Sequence, residues 1–179
     1  QFLMILLLSF HSFLLLQILV LFQIPFFLFP LVYSLNLFAF FLIFVYWTES
    51  AKDVPMSNIE KKLLKNKYVE EMKVQTPREL ERYMQISGSN YDGFFYARSV
   101  NNLAVDEVLI VKVKSREQLN NLQDAIDARL KQQIANYQGY APEQVSMLKN
   151  AKTFTKGNYI FYCVSKKPDS ISEDFTNVI

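Results

Sequence analysis

The chain has 179 residues, with 19 basic and 17 acidic side chains, one histidine and one cysteine. A single cysteine excludes a disulfide framework and a multi-cysteine metal site. The charges are nearly balanced and interspersed, which excludes the clustered basic stripe of a nucleic-acid binder.

These averages blend two unlike polymers, because every Lys, Arg, Asp and Glu lies at Glu49 or later. Residues 1–48 read as a membrane anchor contacting the lipid bilayer. Phe2 to Phe22 and Phe26 to Trp47 are apolar stretches, each about as long as the ~20 residues that cross a bilayer core as a helix. Pro25 and Pro30 interrupt them, and Tyr33, Tyr46 and Trp47 sit where interfacial aromatics are favoured. Two arrangements fit: a helical hairpin turning near Gln23 to Pro30, or a single span from Leu31 to Trp47 acting as an uncleaved signal-anchor. The chain opens with Gln1 and carries no Lys or Arg before Lys52, unlike the charged opening of a secretory signal; a fragment or a misplaced start is the other reading. Thr48-Glu-Ser50 before Ala51 is a weak cleavage pattern. Lys61, Lys62, Lys65 and Lys67 would favour the cytoplasm under the positive-inside rule, but that rule weakens for long domains, so charge leaves the orientation open.

Residues 52–179 predict one α+β domain: a mainly antiparallel sheet of about four strands packed on a long amphipathic helix. Ser57-Asn-Ile-Glu60 has the form of a capping box, with Ile59, Leu63 and Leu64 on one face of the helix it opens. The neighbouring lysines form a solvated face or touch anionic head groups. Thr76-Pro-Arg-Glu79 starts a second helix, with Pro77 where its missing donor costs nothing, running to about Ile86. Phe94 to Val100 reads as a strand and Asn101-Asn102 as a bend. Val108 to Val113 is almost continuously apolar and reads as a central strand whose far end, at Lys112, emerges into solvent.

Ser115-Arg-Glu-Gln118 caps the longest helix. Leu119, Leu122, Ile126, Leu130, Ile134 and Tyr137 recur at steps of three and four, one apolar stripe, and Gly139 stops it. Tyr140-Ala-Pro-Glu-Gln144 begins a short helix. Thr153-Phe-Thr and Asn158 to Val164 flank a hairpin turn at Lys156-Gly157, and Ser170 to Glu173 begins a last helical turn. Cys163 reads as a buried strand thiol.

The usual catalytic sets are missing from this domain. The one histidine, His11, lies in the apolar stretch, so no Ser-His-Asp triad or Cys-His pair is available, and no metal or other cofactor is expected. Asp106-Glu107 is the most tempting acid pair, but strand neighbours point to opposite faces, and a charged strand start explains it. Tyr137, Tyr140, Gln144 and Tyr159 form the candidate ligand-binding group: tyrosine offers a flat face and a hydroxyl to sugar or peptide. Packing around the helix stop is the competing explanation.

Lys52-Asp-Val-Pro55, the run Val105 to Val113, the long helix, Gly139 to Gln144 and Asn150 to Tyr159 together resemble an uncharacterised domain-of-unknown-function family (number 4358) of small surface lipoproteins in clostridia-type Gram-positive bacteria. The resemblance covers Lys52 to Phe175. It implies location more than activity, since such lipoproteins follow a signal peptide that leaves a lipid-modified Cys ahead of the domain. Trp47 to Ala51 contains no Cys, so here the apolar segment would be the anchor.

The expectation is a non-enzymatic cell-envelope module at the plasma membrane, its domain on the extracytoplasmic side, binding a protein or cell-wall partner and no nucleic acid. The rival expectation is an enzyme or accessory subunit of an envelope polysaccharide-modifying complex. A deep pocket lined by two carboxylates would favour the rival, and a shallow aromatic patch would favour binding.

Overall fold

The structure, a computed structural model, describes residues 28–101 and 103–179. The chain divides into two compact units, one up to Thr48 and one from Glu49 to Ile179.

The first unit contributes helix α1 (Phe29–Glu49). Its described side chains, residues 30–46, are apolar on every side, and Leu31, Leu35, Phe38, Ile43 and Tyr46 each expose more than half of their surface. Its polar groups bond within the helix: Ser34 Oγ donates to the Leu31 carbonyl and Asn36 Nδ2 to that of Val32, both at 2.9 Å. Among the described residues no helix is long and apolar enough to cross a membrane. The expected transmembrane span is therefore not borne out. The stretch Phe2 to Phe22, the hairpin turn at Pro25 and His11 lie outside the described residues, as does Asn102.

The second unit holds helices α2 (Met56–Leu63), α3 (Pro77–Met84), α4 (Gln118–Tyr137), α5 (Pro142–Lys149) and α6 (Pro168–Thr176). Its strands are β1 (Met72–Val74), β2 (Gly93–Ser99), β3 (Glu107–Lys112), β4 (Lys152–Lys156) and β5 (Tyr159–Val164). They form one antiparallel sheet in the order β1-β2-β3-β5-β4. The sheet thus has five strands rather than about four. The extra one, β1, spans three residues at an edge, too short to show an alternating pattern.

Helices cover both faces of the sheet, not one. Ile59 and Leu63 of α2 and Ile171 and Phe175 of α6 pack with Phe95, Val108, Ile110, Phe161 and Cys163. Across the sheet, Leu80 and Met84 of α3, Leu122 and Ile126 of α4 and Leu148 of α5 pack with Leu109, Val111, Ile160 and Tyr162. This explains the unbroken apolar runs of β3 and β5. An antiparallel strand with one wet face alternates, whereas one covered on both faces has no polar positions to show. On the first face Phe161, Phe154 and Phe175 form a triangle of rings, with centroids 4.9 Å (Phe154–Phe161), 5.3 Å (Phe161–Phe175) and 6.1 Å (Phe154–Phe175) apart.

Local signals differ in how well they hold. Thr76 makes both halves of a capping box: Oγ1 accepts from Glu79 N at 3.3 Å, and Glu79 Oε2 accepts from Thr76 N at 2.8 Å. That helix ends at Met84, two residues short of the expected Ile86, because Gln85 turns left-handed at φ +58°. The boxes expected at Ser57 and Ser115 do not form. Helix α2 starts at Met56 behind Pro55 with no side-chain cap. At α4 only the returning half exists, Gln118 Oε1 accepting from Ser115 N at 3.4 Å and also from Lys114 N at 2.9 Å. Helix α6 begins at Pro168, ahead of the expected Ser170. Gly139, with φ +102°, follows α4 as expected.

The expected stripe of α4 is only half right. Leu122 and Ile126 are fully buried, but Leu130, Ile134 and Tyr137 are half-buried. In the C-terminal half of α4 the inward line passes to Arg129 and Gln133, and Gln133 is buried.

Candidate functional site

Arg129 turns inward because a carboxylate waits there. The register places Arg98 of β2 directly opposite Glu107 of β3, so both side chains share the face that carries Tyr96, two residues along β2, and Tyr162 of β5. Glu107 is fully buried. Its Oε1 accepts from Tyr162 Oη at 2.7 Å and Arg129 Nε at 3.3 Å. Its Oε2 accepts from Tyr96 Oη at 3.1 Å and Arg129 Nη2 at 3.2 Å, with Arg98 Nε 3.5 Å away. Gln133, turned so that its amide oxygen faces the guanidinium, accepts from Arg129 as well. Reading Asp106-Glu107 as a charged strand start therefore fails for Glu107: the covering helix seals over it, and it survives burial because every oxygen is paired.

Burial, then the neighbouring carboxylate, pushes both tyrosine hydroxyls well above their ordinary range, so they remain protonated donors. Desolvation works against the charge of Arg129, but Glu107 outweighs it and holds the guanidinium above its usual value. Beside this cluster Arg98 lies over the ring of Tyr83, its guanidinium carbon 3.9 Å from the centroid. The arrangement can hold charge and lock the sheet to α4. Glu107 is sealed from any substrate.

Of the four residues expected to bind a ligand, three are brought together. Tyr137, Tyr140 and Gln144 line one groove of about 410 Å³ with Leu103, Ala141, Pro142 and Glu143. The two rings are 5.7 Å apart and inclined by 33°. Tyr140 and Leu103 are 67% and 70% exposed. Pro142 opens α5 directly behind the α4 stop, and this tight junction is what turns Tyr140 outward beside Tyr137.

Tyr159 is elsewhere. It is buried on the opposite face of the sheet, where its hydroxyl accepts from Val54 N at 3.0 Å and donates to Val54 O at 2.9 Å. It does grip a peptide, but the peptide is this chain's own lead-in segment. Lys112 pairs with Asp53 and, at 3.0 Å, with Asp92, instead of emerging freely into solvent, and these partners raise its pKa. Gly157, at φ +57°, closes the β4–β5 turn against Ala51, whose Cβ would lie 2.7 Å from any side chain placed there.

A third feature was legible only as the discarded acid pair. Asp106 and Glu71 line a groove of about 590 Å³ with Lys67, Tyr68, Ser99, Asn101, Ser165 and Lys166. Burial holds the Asp106 carboxyl above its usual range, although Lys166 pulls the other way. Among the described residues no group of His, Cys, Asp and Glu could hold a metal ion. Cys163 is free and buried, and burial pushes its thiol up.

Residues 56–165 match a family model described as Domain of unknown function (DUF4358). Comparison with curated proteins and with solved structures finds no match.

Proposed function

The chain belongs to the family of that domain of unknown function, and on this premise we propose a non-enzymatic cell-envelope module that binds a protein or cell-wall partner through the Tyr137–Tyr140–Gln144 groove. The observation that carries the reading is the exposed Tyr140 face beside Leu103 in a groove that also presents Gln144. Exposed aromatics flanked by amides are the chemistry of interface anchors. The proposal includes a membrane tether on the plasma membrane, with the domain extracytoplasmic. Its support is the charge-free sequence of residues 1–48 and the all-round apolar surface of α1, since a helix apolar on every side needs apolar surroundings. In this reading the tether replaces the lipid anchor of the lipoproteins that the domain resembles.

A photo-crosslinking residue in place of Tyr140, in intact cells, should yield a specific adduct that the same residue at Lys131 does not. No adduct at 140, or equal adducts at both positions, rejects the groove. Protease added to intact spheroplasts should digest the domain, and full protection would reverse the orientation.

A second reading rests on the Asp106 groove. A carboxyl held up by burial in a groove that a second carboxylate also lines suits general acid–base work, as an enzyme or accessory subunit acting on an envelope polysaccharide. Asp106→Asn and Glu71→Gln would then each abolish turnover of purified wall polysaccharide with the fold intact, and a wild-type chain that leaves the polysaccharide unchanged rejects it.

A further inference from the structure

Three guanidiniums converge on one aromatic ring. The carbons of Arg98, Arg82 and Arg129 lie 3.9, 5.5 and 5.7 Å from the centroid of Tyr83. Lys73 stands opposite Arg98 in the β1–β2 register. Two carboxylates face these four cations. Glu107 is shared between Arg129 and Arg98. Glu79 lies 3.8 Å from Lys73 and is held by the Thr76 cap. Two positive charges are left over. Arg98 is only partly satisfied: it reaches Glu107 through Nε at 3.5 Å, and among the described residues its terminal nitrogens have no hydrogen-bond acceptor. Its side chain is 21% exposed, so the fork is not sealed off.

Like charges gathered on one face repel, and the repulsion is relieved when an anion enters. A guanidinium fork held over a ring is restricted in the orientations it can take, which favours bidentate oxyanions. An excess of two charges fits a dianion better than a carboxylate. We infer that the face around Tyr83, Arg82, Arg98 and Lys73 is a binding site for a phosphate-monoester group. Arg98 supplies the fork, Tyr83 holds it in place, and Arg82 and Lys73 complete the charge. Glu107 serves the site from behind by fixing Arg98 and Arg129 in position. The site is separate from the Tyr140 groove and does not depend on it.

Two sources present this group, a soluble phosphomonoester and the headgroup of phosphatidic acid, and two arms separate them. In the first, inorganic phosphate is titrated into the full chain in a zwitterionic detergent and followed by the side-chain Nε signals of its arginines. Saturable shifts at Arg98 and Arg82, absent with chloride at equal ionic strength, are expected. The affinity should fall as pH drops through the second ionisation of inorganic phosphate, where the dianion takes up a proton and loses its second charge. In the second arm, the full chain is mixed with phosphatidylcholine vesicles with and without phosphatidic acid. Arg82→Gln, on an exposed helix face outside the Glu107 network, should weaken binding about tenfold, the loss of one charge-assisted contact, with an unchanged melting temperature. Arg98→Gln should abolish it. Response in the first arm assigns a soluble phosphomonoester, and response to phosphatidic acid alone assigns the headgroup. Shifts reproduced by chloride, no response in either arm, or wild-type affinity in Arg82→Gln would overturn the site.

Discussion

Arg129→Met tests whether the buried cluster is a working part of the fold. The substitution keeps an unbranched apolar stem as far as the Nε position but removes the Nε and Nη2 bonds at 3.3 and 3.2 Å to Glu107. The carboxylate stays buried, with two tyrosine hydroxyls and Arg98 at 3.5 Å as its remaining partners. Removing one partner of a buried pair costs about 3–5 kcal/mol. Because those three partners remain, the lower end applies, about 3 kcal/mol. At roughly 4 °C per kcal/mol for a domain between the small and medium size classes, the midpoint should fall by about 12 °C. Urea and thermal melts of residues 49–179 measure both quantities. The companion variant Glu107→Gln/Arg129→Met removes both charges while keeping an acceptor for Tyr162. It should be more stable than the sum of the single variants by about 1–3 kcal/mol, the coupling expected of groups in one network. A loss within about 0.5 kcal/mol for Arg129→Met, which is the range of ordinary surface changes, or strictly additive single variants, would refute the coupling.

Other outcomes follow from the same packing. Ile126→Ala empties a fully buried position on α4 and should cost about 2–5 kcal/mol, whereas Lys131→Ala, exposed on the same helix, should stay within about 0.5 kcal/mol; equal effects in denaturant melts would mean that α4 is rotated. Asp174 accepts from Lys62 at 2.8 Å and Asn66 at 2.6 Å, and these bonds hold its carboxyl below the usual range. A folded-state pKa depressed in this way contributes stability above the unfolded value of about 3.9 and loses it as pH falls through the folded value. Asp174→Asn should therefore flatten the decline of melting temperature with pH in that acid range, and an unchanged acid profile would rule the contribution out. Residues 49–179 contain both faces of the core and should unfold in one cooperative transition without the apolar segment; a non-cooperative melt would show that they need it.

The parts of this protein that were legible in the sequence are those whose cause is local. The Thr76 box, the stop at Gly139 and the hairpin around Gly157 each depend on residues within a few positions of one another, and each is found. The triad Tyr137, Tyr140 and Gln144 converges for the same reason, because a helix stop and a helix start lie back to back. What the tertiary structure alone decided depends on which surfaces meet. Glu107 looks like any charged residue at a strand start until α4 covers that face of the sheet, and Arg129 looks solvated until the strand register sets the carboxylate beneath it. Tyr159 reads as a ligand-binding side chain until Val54, 105 residues earlier, closes on its hydroxyl. The sheet's second helical layer is equally silent, since α2 and α6 lie at opposite ends of the domain sequence and no local pattern shows that both pack on one face. Periodicity reports how much of a segment is covered. Only the long-range contacts say what covers it, and burying a charge is tolerable only when that cover brings the opposite charge.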